Sequence, residues 1–210
     1  EFRRVLFRSM AYLKANHYVY FMQALLNSVI GSEKAIENYH KDLQKNGIQL
    51  LPPNIKLSHD QFEVISRNEM RAPLSIVKSI GMKTVNQMLS DRDPHTLDTW
   101  QDIKSWLKNH VSERQLTQLI HAGSFDNLNL NRRTLIENST FSDIEYAMYL
   151  DQMAMAILPE YDDDTLSELE REALGFNLTY DLGVQLRKIQ TCFIDAITDR
   201  ANVMIRDRKS

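Results

Sequence analysis

A six-residue hairpin, Ser-Ile-Gly-Met-Lys-Thr at positions 79–84, constrains the fold of this chain more than any other feature. It separates an apolar segment from a second one that has the spacing of an amphipathic helix. Gly81 allows the positive φ of a tight turn and a close approach of another backbone. Lys83 and Thr84 then open a helix, whose first N–H groups have no partner within it. The pattern predicts two helices joined by a turn that contacts phosphate, or a turn that only packs the helices.

A second turn of small residues, Ala-Gly-Ser-Phe-Asp at positions 122–126, lies further along the chain. The capping box at residues 112–115 predicts the helix before it, and residues 131–134, Asn-Arg-Arg-Thr, open the helix after it. Two such units suggest an internal duplication, and two hairpins can hold both strands of a duplex. The candidate DNA-binding residues are Lys78, Ser79, Gly81, Lys83 and Thr84 at the first hairpin and Gly123, Ser124, Arg132 and Arg133 at the second.

These candidates would supply backbone amides, cations and hydroxyl donors, which position DNA without reading its sequence. The lysines of the first hairpin could instead be solvated. Arg132 and Arg133 could equally pair with Asp126 or face water. We predict no catalytic residue and no metal ligand, because the histidines lack ligand spacing and the acidic run at residues 162–164 leads into a helix.

The charge distribution agrees with phosphate binding, although a solvated helix face would show the same excess. The formal net charge is −3 over 210 residues, but residues 71–133 hold nine Lys or Arg against six Asp or Glu. Residues 160–172 hold seven acids and one Arg, which would suit a protein partner. The single cysteine excludes an internal disulfide and suits a reducing compartment. No apolar run approaches the roughly 20 residues of a membrane span.

Hydrophobic spacing predicts a mainly α fold with one small β element. Residues 1–9 have no clear link to the helical pattern that begins after them, and we interpret them as non-native. Trp100 and Trp106 lie on the apolar face of a predicted helix and are expected in the core. Helices are expected over residues 11–30, 32–46, 96–110, 112–122, 141–158, 165–175 and 180–189. Further helices should open at residues 83–84 and 131–134, and strands are expected over 48–51, 61–66, 70–74 and 201–206.

The order of these landmarks resembles the alpha subunit of bacterial replicative DNA polymerase III. The resemblance covers residues 10–206 and implies the C-terminal half of such a subunit. It rests on the runs AYLKANHYVYFMQALLNSVIGSEKAIENY, GIQLLPPNIKLSHDQFEV, LSIVKSIGMKTV, QLIHAGSFDNLNLNRRTL and LEREALGFNL. The implied domains are the end of the polymerase fingers at 10–70, a tandem helix-hairpin-helix domain at 71–140, a helical connector at 141–190 and the first strand of a truncated OB domain at 191–210.

The resemblance implies a fragment of a DNA-directed DNA polymerase, a nucleotidyltransferase, that binds duplex primer-template DNA behind the active site. Carboxylates that hold two magnesium ions would lie upstream, so we expect no cofactor and no polymerisation from this piece alone. Other replisome subunits, including the sliding clamp, would bind outside this chain. The expected location is the cytoplasm, at the bacterial nucleoid and not at a membrane. Two alternatives are a helical interaction scaffold of the replisome and a stand-alone helix-hairpin-helix repair protein.

Three residues depart from the pattern of this family. Ser79 stands where the first hairpin usually has glycine, and we expect it to keep the turn but to narrow its backbone options. Tyr18 replaces a common proline, which predicts a softer break between the first two helices. Asn54 replaces a usual Asp after the double proline.

Overall fold

A computed structural model describes residues 2–93, 95–141 and 157–180 of the chain, with side chains from residue 7 onwards. These residues form a mainly helical structure with one small sheet, as the sequence predicted. The helices are α1 (Phe2–Asn16), α2 (Tyr18–Ser28), α3 (Glu33–Lys45), α4 (Met82–Ser90), α5 (Trp100–Leu107), α6 (Glu113–His121), α7 (Arg132–Glu137) and α8 (Asp163–Leu174).

The first three helices differ from the prediction in where they break. The helix that hydrophobic spacing predicted over residues 11–30 is two helices, because His17 has φ −135° and ψ 48°, outside the helical region. The break falls directly before Tyr18, the position at which the family resemblance indicated one. Helix α1 also includes most of the segment 1–9 that the sequence set apart. Helix α3 ends where predicted, since Gly47 follows its last turn with φ +71°.

The sheet has three short strands, β1 (Gln49–Leu51), β2 (Glu63–Ser66) and β3 (Glu69–Arg71), in the order β1-β3-β2. Strand β3 pairs in parallel with β1 and antiparallel with β2. The Gln23 side chain of α2 donates to the carbonyl of Phe62 at 2.8 Å, just before β2. The sheet and α2 therefore hold the chain that enters the first hairpin.

Capping side chains set the starts of the three helices that follow α4, whereas α4 itself has no capping side chain. A short 3-10 helix, Leu74–Ile76, precedes the first hairpin. Thr99 and Asp102 form a capping box, so α5 begins later than the predicted residue 96. The predicted capping box at Ser112 is confirmed. Helix α7 opens at Asn131 as expected, and the Asn131 side chain is its cap, accepting from Thr134 N at 2.8 Å.

Helix α8 begins two residues before its predicted start at residue 165, because Asp162 takes the N-cap position. Asp163 and Asp164 lie exposed in its first turn, where acidic side chains favour the positive end of the helix dipole. Gly175 ends the helix with φ +87°, as predicted.

One hydrophobic core joins α2, α3, the sheet, both hairpins and α8. Trp100 lies in this core, with its ring edge-on to Phe125 at 5.3 Å between centroids, while Trp106 is partly buried. Within the described residues, no helix combines the length and apolar composition needed to cross a bilayer.

Three of the predicted elements fall outside the described part of the chain. They are the helix over residues 141–158 except for its two ends, the helix over 180–189 except for its first residue, and the strand over 201–206 with the OB-fold start at 191–210.

Candidate nucleic-acid interface

The first hairpin presents its tip to solvent, but its backbone differs from the prediction. The residue with positive φ is the exposed Ser79, at +66°, whereas Gly81 has φ −80°. The conformational freedom expected of Gly81 is therefore not used. A Cβ at Gly81 would meet no atom within 4 Å, so the described residues give no steric reason for glycine at this position either.

The start of α4 offers a row of backbone donors. Among the described residues no acceptor is found for the amides at positions 81–84, and the first backbone bond of α4 runs from Val85 N to Gly81 O at 3.1 Å. Lys83 is exposed and forms no ion pair within that same part of the chain, and Thr84 is half-buried. This tip combines free N–H groups, a cation and open space.

Lys78 contributes only its side chain. Its backbone N–H donates to the carbonyl of Ala173 at 2.8 Å, at the end of α8. Its ammonium lies 3.5 Å from the Glu33 carboxylate, and both side chains remain substantially exposed. An exposed ion pair of this kind is weak, so a phosphate could compete for Lys78.

The second hairpin turns its donors inward, which contradicts the predicted roles of Gly123 and Ser124. The amide of Gly123 donates to Ile120 O and that of Ser124 to Leu119 O, each at 3.0 Å. Ser124 is fully buried, and its carbonyl accepts from Ile55 N at 3.0 Å. Neither residue has a donor available for an external phosphate.

Arg132 is also withdrawn from solvent, contrary to its predicted role. Its side chain is only 2% exposed, and Nε and Nη2 donate to the two oxygens of Asp126 at 3.1 and 2.8 Å. Nη1 donates to the carbonyl of His121 at 2.8 Å, and the guanidinium lies over the ring of Tyr180. Burial opposes this charge, but the bonds to Asp126 and its negative charge raise the pKa of Arg132 above its usual value. The pairing that the sequence left open is the one observed.

Arg133 keeps a half-buried side chain that lies 5.6 Å from the centre of the Tyr161 ring. Its backbone amide donates to Glu160 at 3.1 Å, and the amide of Arg132 donates to the same carboxylate at 2.7 Å. A carboxylate of this chain therefore satisfies both amides at the start of α7. Phosphate binding by the Arg133 side chain stays a prediction.

The sequence did not indicate that Gln115, next to the exposed Arg114 in α6, contacts the first hairpin. The Gln115 Nε2 donates to the carbonyl of Ser79 at 2.7 Å, which joins the start of α6 to the hairpin tip. Arg114 is exposed, and no ion pair is found for it within the described ranges. The sequence predicted the capping box at residues 112–115. It did not indicate that the Gln115 side chain also contacts the first hairpin.

Comparison with known proteins now identifies the family. Residues 47–135 match the helix-hairpin-helix motif, a stretch that contains both hairpins. DNA polymerase III subunit alpha of Bacillus subtilis (strain 168) is 30% identical over 183 residues, 79% of this chain and 16% of that protein. The chain belongs to the DNA polymerase III alpha-subunit family.

Other members of the alpha-subunit family agree with this assignment. The Staphylococcus epidermidis protein (strain RP62A) is 29% identical over 182 residues, 81% of this chain and 17% of its own length. The Neisseria meningitidis protein (strain Z2491) is 30% identical over 133 residues, 61% of this chain and 11% of its own length. The chain thus spans at most about a sixth of the length of these relatives. Among the described residues, no group of three or more His, Cys, Asp or Glu side chains could hold a metal ion.

Proposed function

We propose that this chain binds duplex DNA through its phosphates, without sequence preference, and that the first hairpin is the main contact. The observation that carries the proposal is the exposed start of α4, where four amides have no acceptor among the described residues and Lys83 is unpaired. Helix starts of this kind bind phosphate through backbone N–H groups and the helix dipole. Contacts to phosphate position a protein on DNA but carry no sequence information.

The second hairpin has a structural part in this proposal. Because the amides of Gly123 and Ser124 are used internally and Arg132 is buried, its turn supports the fold beside the first hairpin. Arg133 is the one predicted contact of the second hairpin that keeps access to solvent. The first hairpin therefore supplies most of the contacts to DNA, which predicts a weak complex.

The similarity to DNA polymerase III alpha subunits extends the proposal to a larger protein. We propose that the chain works within a DNA-directed DNA polymerase of the alpha-subunit family and holds duplex primer-template behind the active site. By the same kinship, residues 10–70, 71–140, 141–190 and 191–210 would be the end of the fingers, the tandem hairpin domain, the connector and the start of the OB domain. Magnesium, the sliding clamp and other replisome subunits would engage elsewhere in that polymerase, in the cytoplasm at the nucleoid.

Fluorescence anisotropy with labelled duplex DNA tests the proposal. We expect the 210-residue chain to bind two unrelated duplexes equally, with a dissociation constant in the micromolar range or weaker. Between about 50 and 200 mM salt, the logarithm of the association constant should fall with the logarithm of the salt concentration with a slope of about −2 to −3. This slope corresponds to two or three phosphates neutralised by Lys78, Lys83 and Arg114. A helical scaffold would show no response to DNA, and a marked preference for one duplex would contradict phosphate-only binding.

A further inference from the structure

The contact between Gln115 and Ser79 connects the two helix-hairpin-helix units at the proposed DNA-binding tip. The Gln115 Oε1 accepts from the backbone N–H of Ser112 at 2.9 Å, which completes the capping box of α6. Its Nε2 donates to the Ser79 carbonyl at 2.7 Å. One side-chain amide therefore fixes the start of α6 and the turn before α4 together.

Ser79 is a position where the backbone needs such support. It is one of two residues other than glycine with positive φ in the described ranges, and its side chain is exposed. In this region the Cβ of an L-residue crowds the following carbonyl, so serine is disfavoured where glycine would not be. Ser79 is exposed, and the bond from Gln115 is the one side-chain hydrogen bond to its backbone found in that part of the chain.

We propose that Gln115 is a positioning residue for DNA binding, which holds Ser79 in the left-handed conformation that presents the amides at positions 81–84. The inference rests on the proposed function of the first hairpin. It predicts that the Gln115 Nε2 donor, and not the cap made by Oε1, determines the fraction of molecules in which the first hairpin can bind phosphate. Arg114, the next residue towards the N-terminus, is held at the same helix start.

Two variants separate the donor from the cap. Gln115→Met removes both, whereas Gln115→Glu keeps an acceptor for the Ser112 amide and loses the donor towards Ser79. Glu also adds a negative charge near the site, so Met serves as the neutral comparison. Ser79→Gly, alone and combined with Gln115→Met, tests whether removing the backbone strain makes the Gln115 contact unnecessary.

Two measurements on the full chain decide the matter. The first is the hydrogen-exchange rate of the Ile80 amide, which donates to Val77 O at 3.2 Å across the turn and so reports its conformation. The second is the affinity for duplex DNA. We expect faster Ile80 exchange in both Gln115 variants and an affinity about 2- to 10-fold lower for Gln115→Met, as the loss of one hydrogen bond implies. Adding Ser79→Gly should bring the affinity back to within about 2-fold of the parent chain.

The outcomes that overturn the inference differ from those that overturn the proposed function. Unchanged Ile80 exchange and unchanged affinity in Gln115→Met would overturn the role of Gln115 while leaving the first hairpin as the DNA contact. If Gln115→Glu weakens binding and Gln115→Met does not, the added negative charge explains the loss, and the role of Gln115 is also overturned. If the unaltered chain fails to bind duplex DNA, the proposed function falls first, and the role of Gln115 in binding falls with it.

Discussion

Arg132 is the bulkiest side chain that the described residues bury almost completely, and all three of its donor groups have acceptors within the fold. We expect Arg132→Ala to lower the free energy of unfolding by about 3 kcal/mol, because it leaves the His121 carbonyl and both oxygens of Asp126 without their donors. Urea denaturation measures this change. The matched control is Arg133→Ala, which should cost less than about 1 kcal/mol, since it loses mainly a partly exposed ring contact. Equal losses in the two variants would contradict the structural role of Arg132.

Lys83 is the cation best placed to bind phosphate at the first hairpin. Replacing Lys83 with Gln should weaken binding equally for unrelated duplexes and make the salt slope shallower by about 1. The matched control is Lys45→Gln at the far end of α3, where an exposed ion pair with Asp42 is lost instead. Anisotropy titrations at two salt concentrations compare them, and a loss confined to one DNA sequence would argue against phosphate contact.

His121 makes the stability of the second hairpin depend on pH. Burial lowers the pKa of His121, with the Glu172 charge raising it and the Arg132 charge lowering it. The unfolded chain therefore binds a proton more readily than the folded one, and stability falls as the pH drops below the unfolded value of about 6.5. We expect His121→Gln to reduce the difference in unfolding free energy between pH 7.5 and pH 5.5. An identical difference in the parent and the variant would show that His121 is not the group responsible.

At the scale of an element, the end of α6 depends on Gly123 for two reasons. Gly123 has φ +78°, and a Cβ there would collide with the Arg132 guanidinium and lie 2.8 Å from the Asp126 carboxylate. Gly47 at the end of α3 has a similar φ of +71° but open space around it. Gly47→Ala should therefore cost about 1 kcal/mol from backbone strain alone, and Gly123→Ala clearly more. Thermal unfolding of the two variants provides the comparison. Equal decreases in melting temperature would mean that the Arg132 side chain moves aside without loss of stability.

Helix ends were the part of the fold that local sequence predicted best. Ser112 and Asn131 act as caps and Gly175 ends α8 as expected, because each of these effects is decided within about four residues. The start of α8 was predicted two residues too late, at residue 165, because Asp162 is the N-cap. The acidic first turn favours this earlier start.

At the scale of the whole molecule, the candidate site could be predicted only where it depends on local sequence. The exposed Lys83 follows from its place at a helix start. By contrast, Arg132 and Arg133 are adjacent and chemically identical, and only the packing of α6 and α7 decides which of them reaches Asp126. Gln115 was missed for a similar reason, because its second contact lies 36 residues away along the chain.

Glu170 attaches the chain after α8 to the rest of the molecule. It is fully buried and accepts from the backbone amides of Leu178, Thr179 and Tyr180 at 2.9 to 3.1 Å. We expect Glu170→Ala to lower the free energy of unfolding by about 3 kcal/mol, because it leaves three backbone amides, including that of the buried Leu178, without their acceptor. The exposed Glu168 is the control, and Glu168→Ala should change stability by less than about 0.5 kcal/mol. Similar values for both would show that water replaces the Glu170 carboxylate.

The hydrogen bond from Lys78 N to Ala173 O connects the first hairpin directly to the end of α8. Close by, Gly175 packs so tightly against Glu33 that a Cβ would overlap the Glu33 side chain. Any tilt of α8 must therefore pull on the backbone at Lys78, one residue before the strained turn at Ser79. Under the proposed function, a force applied downstream of α8 would reach the duplex at the first hairpin, and tension on that duplex would be transmitted back to the end of α8.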